Sequence, residues 1–288
     1  MSGTIYHEPE TLEAALALLA GSDDARCVAG GQTLVAMLNA NLIEPSALVS
    51  LRRIRDLGGI AWQADGSVRI GAMTTHEAIA RDARMRRSLP VLAEAAAAIA
   101  HPAIRAMGTI GGAICHADPA ADYPAALLVA DAAVEIANRS GRRIVPAAEF
   151  FVDYFTTAAE AGDIVTAVVA PAMPACATGH YLKYNRVDGD YATVSVAGAL
   201  ALDGGVCSHA ALSLGACAAV PVRRSDADAA LVGSRLDGAA IDRSARILVE
   251  ACDPIDDVRG SAEYRRHVVP RLVRRAIETM VSRLEASS

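Results

Sequence analysis

The sequence predicts an α+β protein of two domains, and three observations carry that prediction. The chain has 288 residues, 53% of them hydrophobic, enough for two separate cores. Its first part runs helix, strand, glycine loop, helix, strand, the order of a small α/β layer. Its last part runs three strands and then three helices, the order of an α+β unit. Pro171, Pro174 and the small residues around them mark the junction, so the domains are expected at 1–175 and 176–288.

Residues 9–21 read as a helix, with Leu12, Leu16 and Leu19 on one face and Gly21 as the stop signal. A short strand over 25–29 delivers the segment Ala29-Gly30-Gly31-Gln32-Thr33-Leu34. A helix over Leu34–Asn39 and a strand over Ala47–Leu51 follow. Val68, Ile70 and Ala72 alternate with Arg69 and Gly71, and Asp65-Gly66 supplies a tight turn, so 60–72 reads as a hairpin. Helices are expected over 75–86 and 90–100. Next comes Thr109-Ile110-Gly111-Gly112-Ala113, and then Ala117 to Pro124 with Asp118 and Asp122. Asp122, Pro124 and the apolar run Ala125–Val129 read as N-cap, first-turn proline and helix. Val134–Ile136, Arg143–Val145 and Asp163–Val169 read as strands. Beyond the junction the strands are 180–185, 192–202 and 206–215, the last two joined by Asp203-Gly204-Gly205. The helices are 225–232, 241–252 and 262–284.

The two glycine segments carry the chemistry. Paired glycines tolerate positive φ and have no Cβ, so a ligand can come close to the main chain. Successive bare N–H groups form a nest for an anion, most often phosphate. Two nests on one chain suggest one long ligand with two phosphates, such as a dinucleotide. Gly-Gly also marks plain turns, and Asp118 and Asp122 would repel phosphate. Those carboxylates suit turn capping or a hydrogen bond from a ribose hydroxyl.

Net charge is −6, which argues against nucleic acid as a partner. No run of about 18 apolar residues occurs, so no transmembrane helix is expected. The N-terminal residues lack a basic region followed by an apolar core, so the expected location is the cytoplasm with reduced thiols. The 6 cysteines show no C-x-x-C spacing, and neither a zinc ribbon nor an iron–sulfur cluster within the chain is expected. His76, His101 and His116 read as structural or turn residues. Lys183 is the sole lysine, and it stands out in an arginine-rich chain.

Four motifs, in order, resemble those of one family. They are Ala29–Leu34; Thr109–Ala113 with Ala117–Asp122; Lys183-Tyr184-Asn185-Arg186 with Gly189-Asp190-Tyr191-Ala192; and Asp257-Val258-Arg259-Gly260-Ser261-Ala262-Glu263-Tyr264-Arg265. Nearly the whole chain resembles the FAD-binding medium subunit of molybdenum hydroxylases, the xanthine dehydrogenase and carbon monoxide dehydrogenase group. The resemblance implies a two-subdomain FAD domain of the vanillyl-alcohol oxidase, or PCMH, type. A small domain with a three-stranded antiparallel sheet and helices would follow it.

It also implies a contact map. Ala29, Gly30, Gly31, Gln32, Thr33 and Leu34 would hold the FAD pyrophosphate and its flanks through backbone N–H groups. Thr109, Ile110, Gly111, Gly112 and Ala113 would do the same. Asp118 and Asp122 would take polar edges of the cofactor. Ile164 would line the adenine or ribose end, Lys183 would sit near the flavin or its phosphates, and Tyr191 would lie beside the isoalloxazine ring as a movable gate. Ala113 departs from the family's usual Asn or Asp and removes one side-chain hydrogen bond. No His or Cys is placed for a covalent flavin link, so FAD is expected to dissociate.

The implied role is electron transfer without substrate hydroxylation in this chain. A large subunit would carry the molybdenum cofactor and a small one two two-iron two-sulfur clusters, in a dimer of heterotrimers. Electrons would reach FAD here and leave to quinone, NAD or oxygen. No catalytic acid–base residue and no metal ligand is assigned. A self-sufficient FAD-dependent oxidase and a flavin-free scaffold or maturation subunit are the alternative readings.

Overall fold

A computed structural model describes residues 3–22 and 24–286. The outer limits of the two expected domains, Met1 and Ser288, lie outside the described residues. The first subdomain holds β1 (Ile5–His7), α1 (Leu12–Leu19), β2 (Arg26–Val28), α2 (Leu34–Asn39) and β3 (Ala47–Ser50). Both β1 and β2 pair with β3 in parallel, so β3 is central. The Thr11 hydroxyl caps α1 by accepting from Ala14 N–H. The helix lays Leu12, Ala15, Leu16 and Leu19 on Val49, Leu51 and Ile54. It is shorter than the expected 9–21. It ends at Ala20 in right-handed geometry, and Gly21 does not take the left-handed stop.

The middle subdomain begins with the hairpin β4 (Ile60–Trp62) and β5 (Val68–Gly71), turned at Gly66 with φ +83°. Helices α3 (His76–Arg81), α4 (Ala83–Ser88) and α5 (Pro90–Ala98) follow. The expected single helix over 75–86 is thus two. The Asp82 carboxylate accepts from Arg84 and Met85 N–H and restarts the helix there. Then come α6 (Pro102–Met107), α7 (Ile110–His116) and α8 (Tyr123–Val129). The subdomain closes with β6 (Ala133–Asn138), β7 (Gly141–Pro146), α9 (Ala147–Phe150), β8 (Phe151–Asp153), β9 (Thr156–Thr157) and β10 (Ile164–Ala170). Its five-stranded sheet is antiparallel throughout, in the order β4-β5-β10-β6-β7.

The last part holds β11 (Thr178–Tyr184), β12 (Val194–Asp203), β13 (Val206–Gly215) and β14 (Val222–Arg223). It continues with α10 (Ser225–Ala229), α11 (Gly238–Glu250) and α12 (Ala262–Ala286). Its sheet is four-stranded, not three-stranded as expected. β14 is too short to leave a periodic signal, yet it pairs Val222 with Leu214.

Strand β12 is buried on both faces. Val194, Val196 and Leu200 pack on α11 and α12, while Ala197 and Ala199 join the core built by α3, α5, α7 and α8. The core of the middle subdomain therefore extends onto one face of this sheet, and a second core covers the other. Burial on both sides also explains why the strand reads as a continuous apolar run. Among the described residues no helix is long and apolar enough to cross a membrane.

Candidate functional site

The first glycine segment leaves β2 and opens α2. A Cβ at Gly30 would lie 2.1 Å from the Met107 carbonyl oxygen and 2.7 Å from Gly108 Cα. Only glycine lets this loop touch the chain just ahead of the second segment. Gly31 sits at φ +72°, and Gln32 Nε2 donates to the Gly30 carbonyl at 3.1 Å. Among the described residues, the backbone N–H groups of Gly30 through Leu34 donate to no group of the chain. Helix α2 buries none of its residues, and none of residues 30–34 is buried.

The second segment differs from expectation. It is the first turn of α7, not a loop of bare N–H groups. The Thr109 hydroxyl caps the helix and accepts from Gly112 N–H at 3.2 Å. Ile110 donates to the Thr74 carbonyl, Gly111 to Ala72 and Ala113 to Thr109. Among the described residues, Thr109 N–H alone of this segment is left without a partner in the chain, so most of the bare N–H groups lie in the first segment. The two glycines here do different work. Gly111 is buried, and a Cβ there would lie 2.6 Å from Ala72 Cβ. Gly112 is exposed, and a Cβ there would sit 3.6 Å from Ala29 Cβ, facing the first segment.

Cys115, on the same helix, is exposed, yet the protein around it pushes its thiol up to about 12. Cys27, in the middle of β2, is likewise pushed up to about 12 by desolvation. His116 packs its ring 5.3 Å from Phe155, which is exposed at φ +53° and donates its N–H to the Ala117 carbonyl. Phe155 escaped the sequence reading, because a lone aromatic in a turn carries no periodic signal.

Asp118 caps its own turn, accepting from Ala120 N–H at 2.8 Å. Asp122 stands at the N-terminal flank of α8 but caps nothing. Its carboxylate accepts from Tyr181 Oη at 2.8 Å and pairs with Lys183 Nζ at 3.1 Å. Lys183 also donates to the Ala98 carbonyl at 2.9 Å. Both side chains are more than nine-tenths buried. Burial raises the Asp122 pKa, against the pull of Lys183 and Tyr181. The expected N-cap is thus corrected. The two residues expected to meet the cofactor separately meet each other, because β11 packs against α5 and brings Tyr181 and Lys183 to the residue just ahead of α8. Ile164 is buried at 2% among Leu12, Val49, Leu57 and Ala137, in the seam between the first two sheets rather than on an open wall.

Tyr191 is exposed at 38%, with the Arg259 guanidinium 5.0 Å from its ring centre. Desolvation raises its phenol pKa, and its neighbour Ala192 packs with Ala120, which sets this loop on the side of the second segment. His76 is buried, hydrogen-bonded to Tyr123 Oη at 3.0 Å, and structural as expected. A groove of about 850 Å³ lies elsewhere, between Arg52–Leu57 and the five-stranded sheet. Several of its charges are already spent on one another, with Glu135 taking Arg69 at 3.1 Å and Arg142 at 3.2 Å.

This face of the chain has a row of backbone donors, an exposed glycine turned toward them and exposed aromatic rings nearby. It suits a phosphate-bearing cofactor with a flat ring. The family model described as the FAD binding domain in molybdopterin dehydrogenase matches residues 1–173. This chain belongs to that FAD-binding family. The model described as the CO dehydrogenase flavoprotein C-terminal domain matches residues 179–280 of the same flavoprotein. The flavoprotein is 39% identical to the carbon monoxide dehydrogenase medium chain of Afipia carboxidovorans, over 96% of each chain. It is 37% identical to the 6-hydroxypseudooxynicotine dehydrogenase complex subunit alpha of Paenarthrobacter nicotinovorans, over 96% of this chain and 94% of that one. Its fold superposes on a chain of reconstituted CO dehydrogenase from Oligotropha carboxidovorans with a TM-score of 0.94, at 38% identity and 98% coverage of both chains. The flavoprotein is an oxidoreductase subunit of the medium-chain type.

Proposed function

We propose that this chain holds FAD without a covalent bond and relays electrons inside a molybdenum hydroxylase. The observation that carries this is the row of unspent N–H groups from Gly30 through Leu34, faced by Gly112. Those donors would take the pyrophosphate, with Gly112 leaving room for it. Asp118, Ile164, Lys183 and Tyr191 would bear on the rest of the cofactor, Ile164 from beneath and Lys183 through its pair with Asp122. Bound FAD supplies a centre that accepts electrons singly and releases them in pairs. The chain's own residues bind it, shield it and control access to it.

The partners would be a large subunit with the molybdenum cofactor and a small iron–sulfur subunit, in a cytoplasmic dimer of heterotrimers. The chain would divide near residue 175 into the FAD domain and the C-terminal domain. The test is an absorption spectrum of the purified chain, alone and co-expressed with its neighbouring genes. We expect flavin near one per chain, released by acid, and added iron–sulfur absorbance in the assembled complex. Flavin that survives denaturation would replace this reading with a covalent oxidase. Absence of flavin from both preparations would overturn it.

A further inference from the structure

Among the described residues, the motif Asp257–Arg265 makes no hydrogen bond or ion pair to the glycine segments. Its contacts run to the loop between β11 and β12, which carries Tyr191. Arg265 is buried at 3%, and its guanidinium donates to the carbonyls of Thr193 at 2.5 Å and Ala216 at 3.1 Å. The same guanidinium pairs with Asp257 at 2.5 Å. Asp257 Oδ1 accepts from the N–H groups of Arg259 at 2.7 Å and Gly260 at 3.2 Å, which folds 257–260 into a tight turn. From that turn the Arg259 carbonyl accepts from Thr193 Oγ1 at 3.3 Å, and the Val258 carbonyl from Arg186 Nη1 at 3.4 Å. The hydroxyls of Tyr184 and Tyr264 meet at 2.6 Å.

The base of the loop is closed by Thr193 N–H on the Tyr184 carbonyl at 2.8 Å. Its apex rests on the first domain, where Gly189, at φ +84°, lies so close to His101 that a Cβ would sit 2.6 Å from the ring. Asp190 Oδ1 accepts from Tyr191 N–H at 2.7 Å and lies 3.6 Å from Arg259 Nε. Arg259 itself covers the Tyr191 ring at 5.0 Å. Its Nε is buried and makes no hydrogen bond, so charge and ring contact, not directional bonding, hold the guanidinium there.

We propose that Asp257–Arg265 is a brace that sets where Tyr191 stands, with Arg259 as the positioning residue clamped on the ring; this rests on the reading that Tyr191 borders the flavin. The loop backbone is pinned at base and apex, so the ring is its adjustable part, and Arg259 decides how much of the time it stands against the flavin.

The experiment is time-resolved flavin fluorescence of the FAD-loaded full chain, because a tyrosine in contact with flavin quenches it by electron transfer. The unchanged chain should show a dominant short-lived component, and Tyr191→Ala should lose it. Arg259→Gln should raise the ratio of long- to short-lived flavin about fivefold at equal FAD content, the weight of a cation over a ring at a half-exposed site. Arg259→Lys keeps the charge but not the flat stack and should fall between the two, which separates positioning from loss of fold. Tyr191→Ala losing the short component while both Arg259 variants decay like the unchanged chain would overturn the brace alone. Unaltered decay in Tyr191→Ala, with FAD bound, would overturn the placement of Tyr191 and the brace with it. Absence of FAD from the unchanged chain, both alone and in the assembled complex, would overturn the flavin reading itself.

Discussion

Gly112→Ala separates ligand contact from packing. The added Cβ would stand 3.2 Å from Thr109 Oγ1 and 3.6 Å from Ala29 Cβ, contacts that a small adjustment absorbs. The residue lies in the first turn of α7, where alanine is better than glycine by about 1 kcal/mol. The apo protein should therefore melt no lower than the unchanged chain. The same methyl would stand on the surface facing the donor row, where the proposed binding mode runs the cofactor. Overpacking of about 1–3 kcal/mol at that contact corresponds to a loss of about 5- to 150-fold in FAD affinity. Gly30→Ala is the contrasting case. Its Cβ would lie 2.1 Å from a backbone oxygen that cannot swing aside, so it should lower the melting temperature even without cofactor. The assay is FAD titration by fluorescence quenching, paired with thermal melting of the apo chains. Gly112→Ala binding FAD within twofold of the unchanged chain would refute the placement of the ligand at this glycine. Loss of apo stability in Gly112→Ala would refute the division of labour between the glycines.

Two further outcomes concern stability. Lys183→Met leaves the Asp122 carboxylate buried with only the Tyr181 hydroxyl, which should cost about 3–5 kcal/mol in urea unfolding. The double variant with Asp122→Asn should recover much of that, and no recovery would show that the lysine acts some other way. His76 is held near 4 instead of its ordinary 6.5, chiefly by burial and then by Arg105. The unfolded chain binds this proton more tightly, so the stabilisation is full above about pH 6.5 and is lost as pH falls toward 4. The loss is about 3 kcal/mol. His76→Gln should lack that part of the pH dependence, and an identical pH slope in both proteins would contradict it.

Local signals in the sequence resolve where a short segment settles its own conformation. The helix at Leu34–Asn39 and the hairpin closed by Asp65-Gly66 match because turn chemistry and period-two alternation act within a few residues. Pro102 at the start of α6 is a first-turn signal that could have revealed that helix. The Asp82 break and the Thr109 cap were also present as side chains able to bond nearby N–H groups, yet the apolar pattern and the paired glycines outweighed them. The fate of Asp122 could not be read locally, since its partners Tyr181 and Lys183 arrive from another sheet. For the same reason Gly111 and Gly112 look equivalent in the chain. Only the approach of Ala72 to one and of Ala29 to the other tells them apart. Arg259 was visible within a motif but carried no role until the fold set it over Tyr191.

The sheet buried on both faces also constrains how the two domains can be exchanged. Gly179 on β11 lies so near Val91 on α5 that a Cβ would sit 3.1 Å away, and Arg283, near the end of α12, reaches back to Glu94 at 2.7 Å. A chimera that joins the front half of one relative to the back half of another would inherit a mismatched interior, not a mismatched surface. Grafts should therefore carry α5 and α8 together with the C-terminal sheet. Truncation at the junction should leave either half with a raw apolar face, prone to aggregate when expressed by itself.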